Sequence, residues 1–309
     1  MPTASSGHID TYLTNYSRKL SNGMFIADNC FTVVPAAKDS GKIATYGTDN
    51  LRAPSNALRA PGAAPNSVDY SRDSINFVLN EYTLRESVTD EDIAQADSPF
   101  TPLEDAAANA REKVMIVKEK AAAAFLFSTT QWSKNTTLSG TDQWSDYANS
   151  DPFDDVKTAI LSVAQNSLRR PNKIVMGIQV METIKNHPDL IDRVKYTGSQ
   201  SITAQALARL WEVDQVLVGE AVENTAKEGA ADSLGFIWGK GVWIGYVEQR
   251  PSLRAVTACS LVRSRSFPVV ERYRDADQGT KKQWVAYGDK WDMIEVLDGA
   301  GYYIASAVA

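Results

Sequence analysis

The chain has 309 residues, an apolar fraction of 43%, a formal charge of −6 and a pI near 5.1. That apolar content supplies a core for one large or two modest domains and excludes disorder throughout. The acidic balance argues against a protein that holds nucleic acid by neutralising phosphates, so any contact with DNA should be loose.

In chain order, residues 1–36 read as a polar N-terminal arm. Tyr12, Leu13, Tyr16, Leu20, Met24 and Phe25 are spaced too loosely for a regular element, and a short β-prone run, Phe31 to Val34, ends at Pro35. No charged-then-apolar export signal opens the chain, so residence in a cytosol-like compartment is expected. No apolar run reaches the roughly eighteen residues of a membrane span. Residues 37–86 have strand-like ends, Lys42 to Tyr46 and Ile75 to Leu79 with Tyr82. The middle is rich in polar residues, Gly and Pro and includes Pro54, Pro61, Gly62 and Pro65. This pattern predicts a long protruding hairpin with too little apolar surface for a core of its own, which should find its partner on another subunit.

An acidic connector then leads into Thr101 to Gln131, the longest stretch that reads as one helix. Thr101 stands at the N-cap, Pro102 at the first helical position and Glu104 at the capping-box position. Leu103, Ala107, Ala110, Val114, Val117, Ala121 and Phe125 recur at steps of three and four, giving one stripe. At 1.5 Å per residue such a rod is about 45 Å long. A bundle helix is the bland reading, but no other segment supplies a partner of that length. The small residues of the stripe instead suit a spine laid against strands.

The middle third alternates short strands with helices, the clearest being Asp151-capped and running from Pro152 to Arg170. It reads as a mixed α/β domain. The last sixty residues are β-rich: Arg254 to Phe267, Val269 to Tyr273, Trp284 to Tyr287, Trp291 to Leu297 and Tyr302 to Val308, with a tight turn at Asp298-Gly299-Ala300-Gly301.

Catalytic patterns are scarce. There are two histidines, His8 and His187, the second placed to cap a helix at Pro188, and two cysteines, Cys30 and Cys259, with the neighbours of buried structural thiols. Gly235 to Gly241 departs from a phosphate loop in spacing and lacks the Ser or Thr after Lys240. No catalytic residue, cofactor or metal is implied. Charge is segregated: Glu86 to Asp105 holds seven acids and no base, whereas Arg250 to Lys282 holds eight bases against three acids. These are either two solvated faces or complementary surfaces that register subunits. On the second reading the candidate inter-subunit contacts are Glu86, Asp90, Glu91 and Asp92 against Arg263, Arg265, Arg272 and Arg274.

This order of parts resembles the major capsid proteins of tailed double-stranded DNA bacteriophages, the Hong Kong 97 type of shell subunit. Arg170-Pro171-Asn172-Lys173-Ile174-Val175-Met176-Gly177 resembles that family's strand before an axial-domain helix, and Gly299 to Ala305 resembles its C-terminal strand. The resemblance implies an α+β fold. Residues 1–36 would form an N-terminal arm and 37–86 an extended loop. Residues 87–132 and 250–290 would form a peripheral domain with the spine helix, and 133–249 and 291–309 an axial domain. It implies a structural protein that assembles with itself into pentamers and hexamers of an icosahedral virion shell, built in the host cytoplasm. A hairpin beginning near residue 37 leaves no room for the built-in scaffold of some members, so either scaffolding is a separate protein, which the retained Met1 favours, or the chain is a trimmed form; a portal and a decoration protein are the further expected partners. The alternatives are an encapsulin-like compartment and a soluble α/β enzyme.

Overall fold

The computed structural model describes residues 24–45, 72–97, 101–195, 202–227, 229–250, 256–275 and 281–309, with isolated positions between 53 and 67. Most of the expected arm, including Tyr12 and Tyr16, and the hairpin position Pro54 lie outside the described residues. The chain opens with one turn, α1 (Ala27–Cys30), then β1 (Thr32–Ala36), β2 (Ser40–Thr45), β3 (Asp73–Val78), β4 (Asn80–Thr89), α2 (Asp90–Gln95) and the spine, α3 (Pro102–Leu126). Next come β5 (Asn135–Thr137), α4 (Pro152–Ser167), β6 (Lys173–Gly177), α5 (Ile178–Lys185), α6 (Pro188–Lys195), α7 (Ala204–Leu210) and β7 (Gln215–Gly219). The remainder is β8 (Val222–Asn224), β9 (Leu234–Phe236), β10 (Val242–Gly245), β11 (Cys259–Ser264), β12 (Val269–Asp275), β13 (Lys282–Glu295) and β14 (Gly301–Ala305), with a 3-10 turn at Asp298–Ala300 before the last strand.

Two five-stranded sheets organise these elements. One runs β1-β11-β13-β12 with β4 beside β13, and the other runs β5-β14-β10-β6-β7. Strand β13 is the axis of the first: β12 and then β11 pair along one edge, and β4 pairs along the other. It is one strand of 14 residues where the sequence suggested two. Gly288 and Asp289, poor strand formers, sit inside it because Asp289 is held by buried ion pairs and Gly288 lies close against Thr83.

The spine is shorter than expected, ending at Leu126 instead of Gln131. No Gly or Pro stops it. Tertiary packing does: Phe127 packs between Trp238 and Tyr303, and Trp132 is buried with its indole N–H donating to the Leu126 carbonyl at 3.1 Å. Thr101 makes no side-chain cap and donates instead to Glu104 at 2.9 Å. By contrast, Asp151 caps α4 as anticipated, accepting from the amides of Phe153 and Asp154.

The stripe is also rotated. Ala110 and Val114 are buried against Tyr287, yet Val117 is 43% exposed. The buried row runs Ala106, Ala110, Val114, Lys118, Ala122 and Leu126, every fourth residue. Its first half lies on β4 and β13, with Val88 and Val285 packed against Ala106. Its last turns enter a core of Ala122, Ala123, Leu126, Trp132, Trp243 and Leu261 that joins the two sheets. The far face of the second sheet is covered by α4, α5, α6 and α7 through Val156, Ile160, Met181, Leu190 and Leu207.

Where the chain passes close to itself, the second sheet uses glycine. A Cβ on Gly177 would lie 2.1 Å from the Gly239 carbonyl oxygen, and one on Gly301 would lie 2.4 Å from the Trp132 ring. Backbone cannot swing aside as a side chain can. Gly177→Ala should therefore destabilise the unassembled subunit by about 1–3 kcal/mol, seen as a fall of several degrees in its thermal midpoint, whereas Gly235→Ala, with open space around it, should leave the midpoint unchanged.

Candidate functional site

The sheet register brings the acidic and basic segments together within one subunit. Asp90, at the start of α2, pairs with Arg274 of β12 and accepts from Gln283 of β13 at 2.9 Å. The Gln283 hydrogen bond and the Arg274 guanidinium hold its carboxyl below the usual carboxylate range. Glu86 accepts from Asn109 of the spine at 2.6 Å. Asp92 forms a capping box with Thr89, and Glu91 is exposed. Among the bases, Arg272 donates to Gln283 at 2.9 Å and Arg265 is exposed. Arg263 turns inward, donating through Nε and Nη2 to the two oxygens of Asp289 at 2.8 Å each.

That Arg263–Asp289 pair belongs to a buried charge cluster centred on two neighbouring spine residues. Lys118 is fully buried; it pairs with Asp28 of α1 and reaches Asp289 at 3.5 Å. Glu119 is also fully buried and accepts three hydrogen bonds, from the Ile26 and Ala27 amides at 2.9 Å each and from the Trp238 indole at 2.7 Å. The two side chains thus join the spine to the N-terminal segment, to β13 and to the segment leading into β10. Neither residue stands out by hydrophobic periodicity, which places the stripe through Val117 and Ala121. The available signal was the four-residue step from Val114, which lands on Lys118.

The other chemistry is sparse. His187 does not cap a helix with its side chain: the ring is buried, with Nε2 3.2 Å from the Ser150 hydroxyl. Cys30 and Cys259 are buried free thiols, and burial pushes both up from the ordinary thiol value. Among the described residues no group of three or more His, Cys, Asp or Glu side chains could hold a metal ion, and no helix is long and apolar enough to cross a membrane.

Two β ribbons lie outside the two large sheets. The β2–β3 ribbon is tied at its base, where Lys290 reaches Asp39 at 2.8 Å and Asp292 accepts from the Val78 amide at 3.0 Å. The β8–β9 hairpin is a second separate ribbon.

Comparison with known proteins assigns this arrangement. No family model matches the chain. The major capsid protein of Burkholderia phage BcepMu is 30% identical over 244 residues, covering 77% of this chain and 76% of that protein. The chain belongs to the phage major capsid proteins. The major capsid protein of Pseudomonas phage JBD67 is 27% identical over 306 residues, covering 97% of both chains. Among solved structures, a phage-related protein from Bordetella bronchiseptica RB50 superposes with a TM-score of 0.72 at 29% identity, over 96% of this chain and 97% of that one. The capsid of cyanophage P-SCSP1u gives 0.64 at 9% identity, over 93% and 89%. An encapsulin complex from Synechococcus elongatus PCC 7942 gives 0.56 at 10% identity, over 96% and 94%. The last two share the fold alone: it is the α+β Hong Kong 97 type, and this capsid protein's place is in the virion shell.

Glu119 makes the cluster testable in solution. Three donors converge on a side chain that, ionised, only accepts; Glu119→Gln turns one acceptor into a donor facing a donor. Unfolding of the variant subunit at pH 8 should be easier by about 1–3 kcal/mol. Burial raises the Glu119 carboxyl above its ordinary value despite those donors. The folded chain therefore holds a proton more readily than the unfolded one, and this group's contribution to stability falls as pH rises between the two values. The variant lacks that gain, so its deficit from the parent chain in urea titrations should widen as pH is lowered through the window.

Proposed function

We propose that copies of this chain close into pentamers and hexamers of an icosahedral shell that encloses double-stranded DNA. The relationship to the capsid protein of phage BcepMu carries the reading. The ribbons outside the main sheets support it, since a two-stranded ribbon is marginal in water until a third strand or a packed face completes it. In this reading the expected division is kept, with β1 from the arm and most of β4 from the extended loop adding strands to the first sheet. Residues 87–132 and 250–290 form a peripheral part around the first, and 133–249 with 291–309 an axial part around the second, β13 crossing between them at its end. The exposed charges Glu91 and Arg265, with the Asp90–Arg274 and Arg272 network beside them, guide neighbouring subunits into register, as complementary surface charge does for encounter and specificity. Glu86, Asp92 and Arg263 set that surface from within their own subunit.

The role is structural. No reaction is assigned to the chain, and its acidic net charge keeps contact with packaged DNA loose. A separate scaffolding protein, a portal and a decoration protein are the further partners expected, with assembly in the host cytoplasm. An encapsulin-like compartment is the second reading, motivated by the shared fold; the closer sequence likeness to phage capsid proteins favours the first.

Electron microscopy of the expressed protein in negative stain should show closed shells, rings or curved sheets. Uniform small particles would contradict the proposal, and purified shells filled with a protein cargo would move it to the compartment reading.

A further inference from the structure

A groove of about 320 Å³ opens between α4 and the end of α7. Its lining includes the apolar Phe153, Leu161 and Trp211, with Leu161 62% exposed and Trp211 almost fully buried. Its rim is charged: Lys157 and the Arg170–Glu212 pair, with the Arg193 guanidinium over the Phe153 ring at 3.9 Å. Three of these four charges are positive.

The β8–β9 hairpin has the complementary character. Its register pairs Val222 with Phe236 and Asn224 with Leu234, so those four share one face while Glu223 and Gly235 occupy the other. Glu223 is tied to Lys120 of the spine at 2.9 Å, leaving Leu234 73% and Phe236 47% exposed. Asn224 fixes the turn by bonding Asp232 and the amides of Ala226 and Ser233, so the apolar pair is presented on a preorganised support. Residues 220–236 carry four acids, Glu220, Glu223, Glu228 and Asp232, against Lys227.

Within one chain these features face apart. The hairpin is tied to the spine, which packs with Val175, Leu217 and Trp243 on one face of the second sheet; α4 and α7 pack with Ile174, Met176 and Val216 on the other. A knob and a hole on opposite sides of one molecule make a head-to-tail contact, which closes into rings when the rotation allows. We propose that the Leu234–Phe236 face of one subunit seats in the α4–α7 groove of the next, with Asp232 against Lys157. This deepens the shell reading and rests on it.

The test uses full-length particles carrying Leu161→Cys and Leu234→Cys together, treated with a short bismaleimide. Cys30 and Cys259 are buried, so single variants serve as controls. Denaturing gels should show a ladder ending at covalent pentamers and hexamers for the double variant and monomer for each single one. Intact shells that give no ladder overturn the pairing while leaving the shell reading standing; a parent chain that forms no shells overturns both. Should the double cysteine variant fail to assemble, charge reversal decides. Asp232→Lys should lower shell yield about tenfold, and adding Lys157→Asp should restore it. Losses that simply add contradict the contact.

Discussion

A lysine and a glutamate side by side on one helix cannot both be buried unless partners reach them from different directions, and this constraint shapes the capsid subunit. Lys118 and Glu119 sit at the point where the spine passes from the first sheet to the second. Lys118 takes Asp28 and Asp289, Glu119 takes the α1 amides and Trp238, and Arg263 completes Asp289 from β11. Such a cluster adds little net stability compared with an apolar core of equal volume. Removing one member strands the rest at a penalty of about 3–5 kcal/mol. What it fixes is register: the segment before β1, the middle of β13 and the approach to β10 each have one position that satisfies the helix.

Around that joint the packing is directional. Phe127 packs between Trp238 and Tyr303, and Trp132 packs on Trp243, so two sets of ring contacts tie the end of the spine to the second sheet. Gly219, Gly241, Gly245 and Gly301 let aromatic rings lie where a Cβ would collide. The result is a densely packed centre, with the β2–β3 ribbon joined to it through Ile43, Phe77 and the Lys290 and Asp292 ties and the β8–β9 ribbon through Glu223.

Much of this was legible in the sequence where local chemistry decides. The Asp151 cap, the strand Lys173–Gly177 and the order of parts depend on neighbours within a few residues. Elements set by distant contacts were not. The stripe through Val117 and Phe125 followed hydrophobicity, whereas the chain buries Lys118 and Glu119 because partners 90 or more positions away make that possible. The spine's end was overrun because aromatic packing, not a breaker, stops it. The basic segment suggested an outward surface, yet Arg263 serves a buried aspartate 26 residues on. The expected charge segregation is real, but the β13 register folds the Asp90 end of one segment onto the Arg274 end of the other.

The charge cluster at Lys118 and Glu119 fixes register inside the subunit, and the β2–β3 ribbon lies outside it. A cryo-EM reconstruction of the assembled shell, with each subunit of the icosahedral asymmetric unit built independently, tests it most directly. The Lys118–Asp289 and Glu119–Trp238 contacts should recur unchanged in every subunit, while the β2–β3 ribbon differs in angle among them. Subunits in which those contacts are broken, with the ribbon held at one fixed angle throughout, would contradict the account.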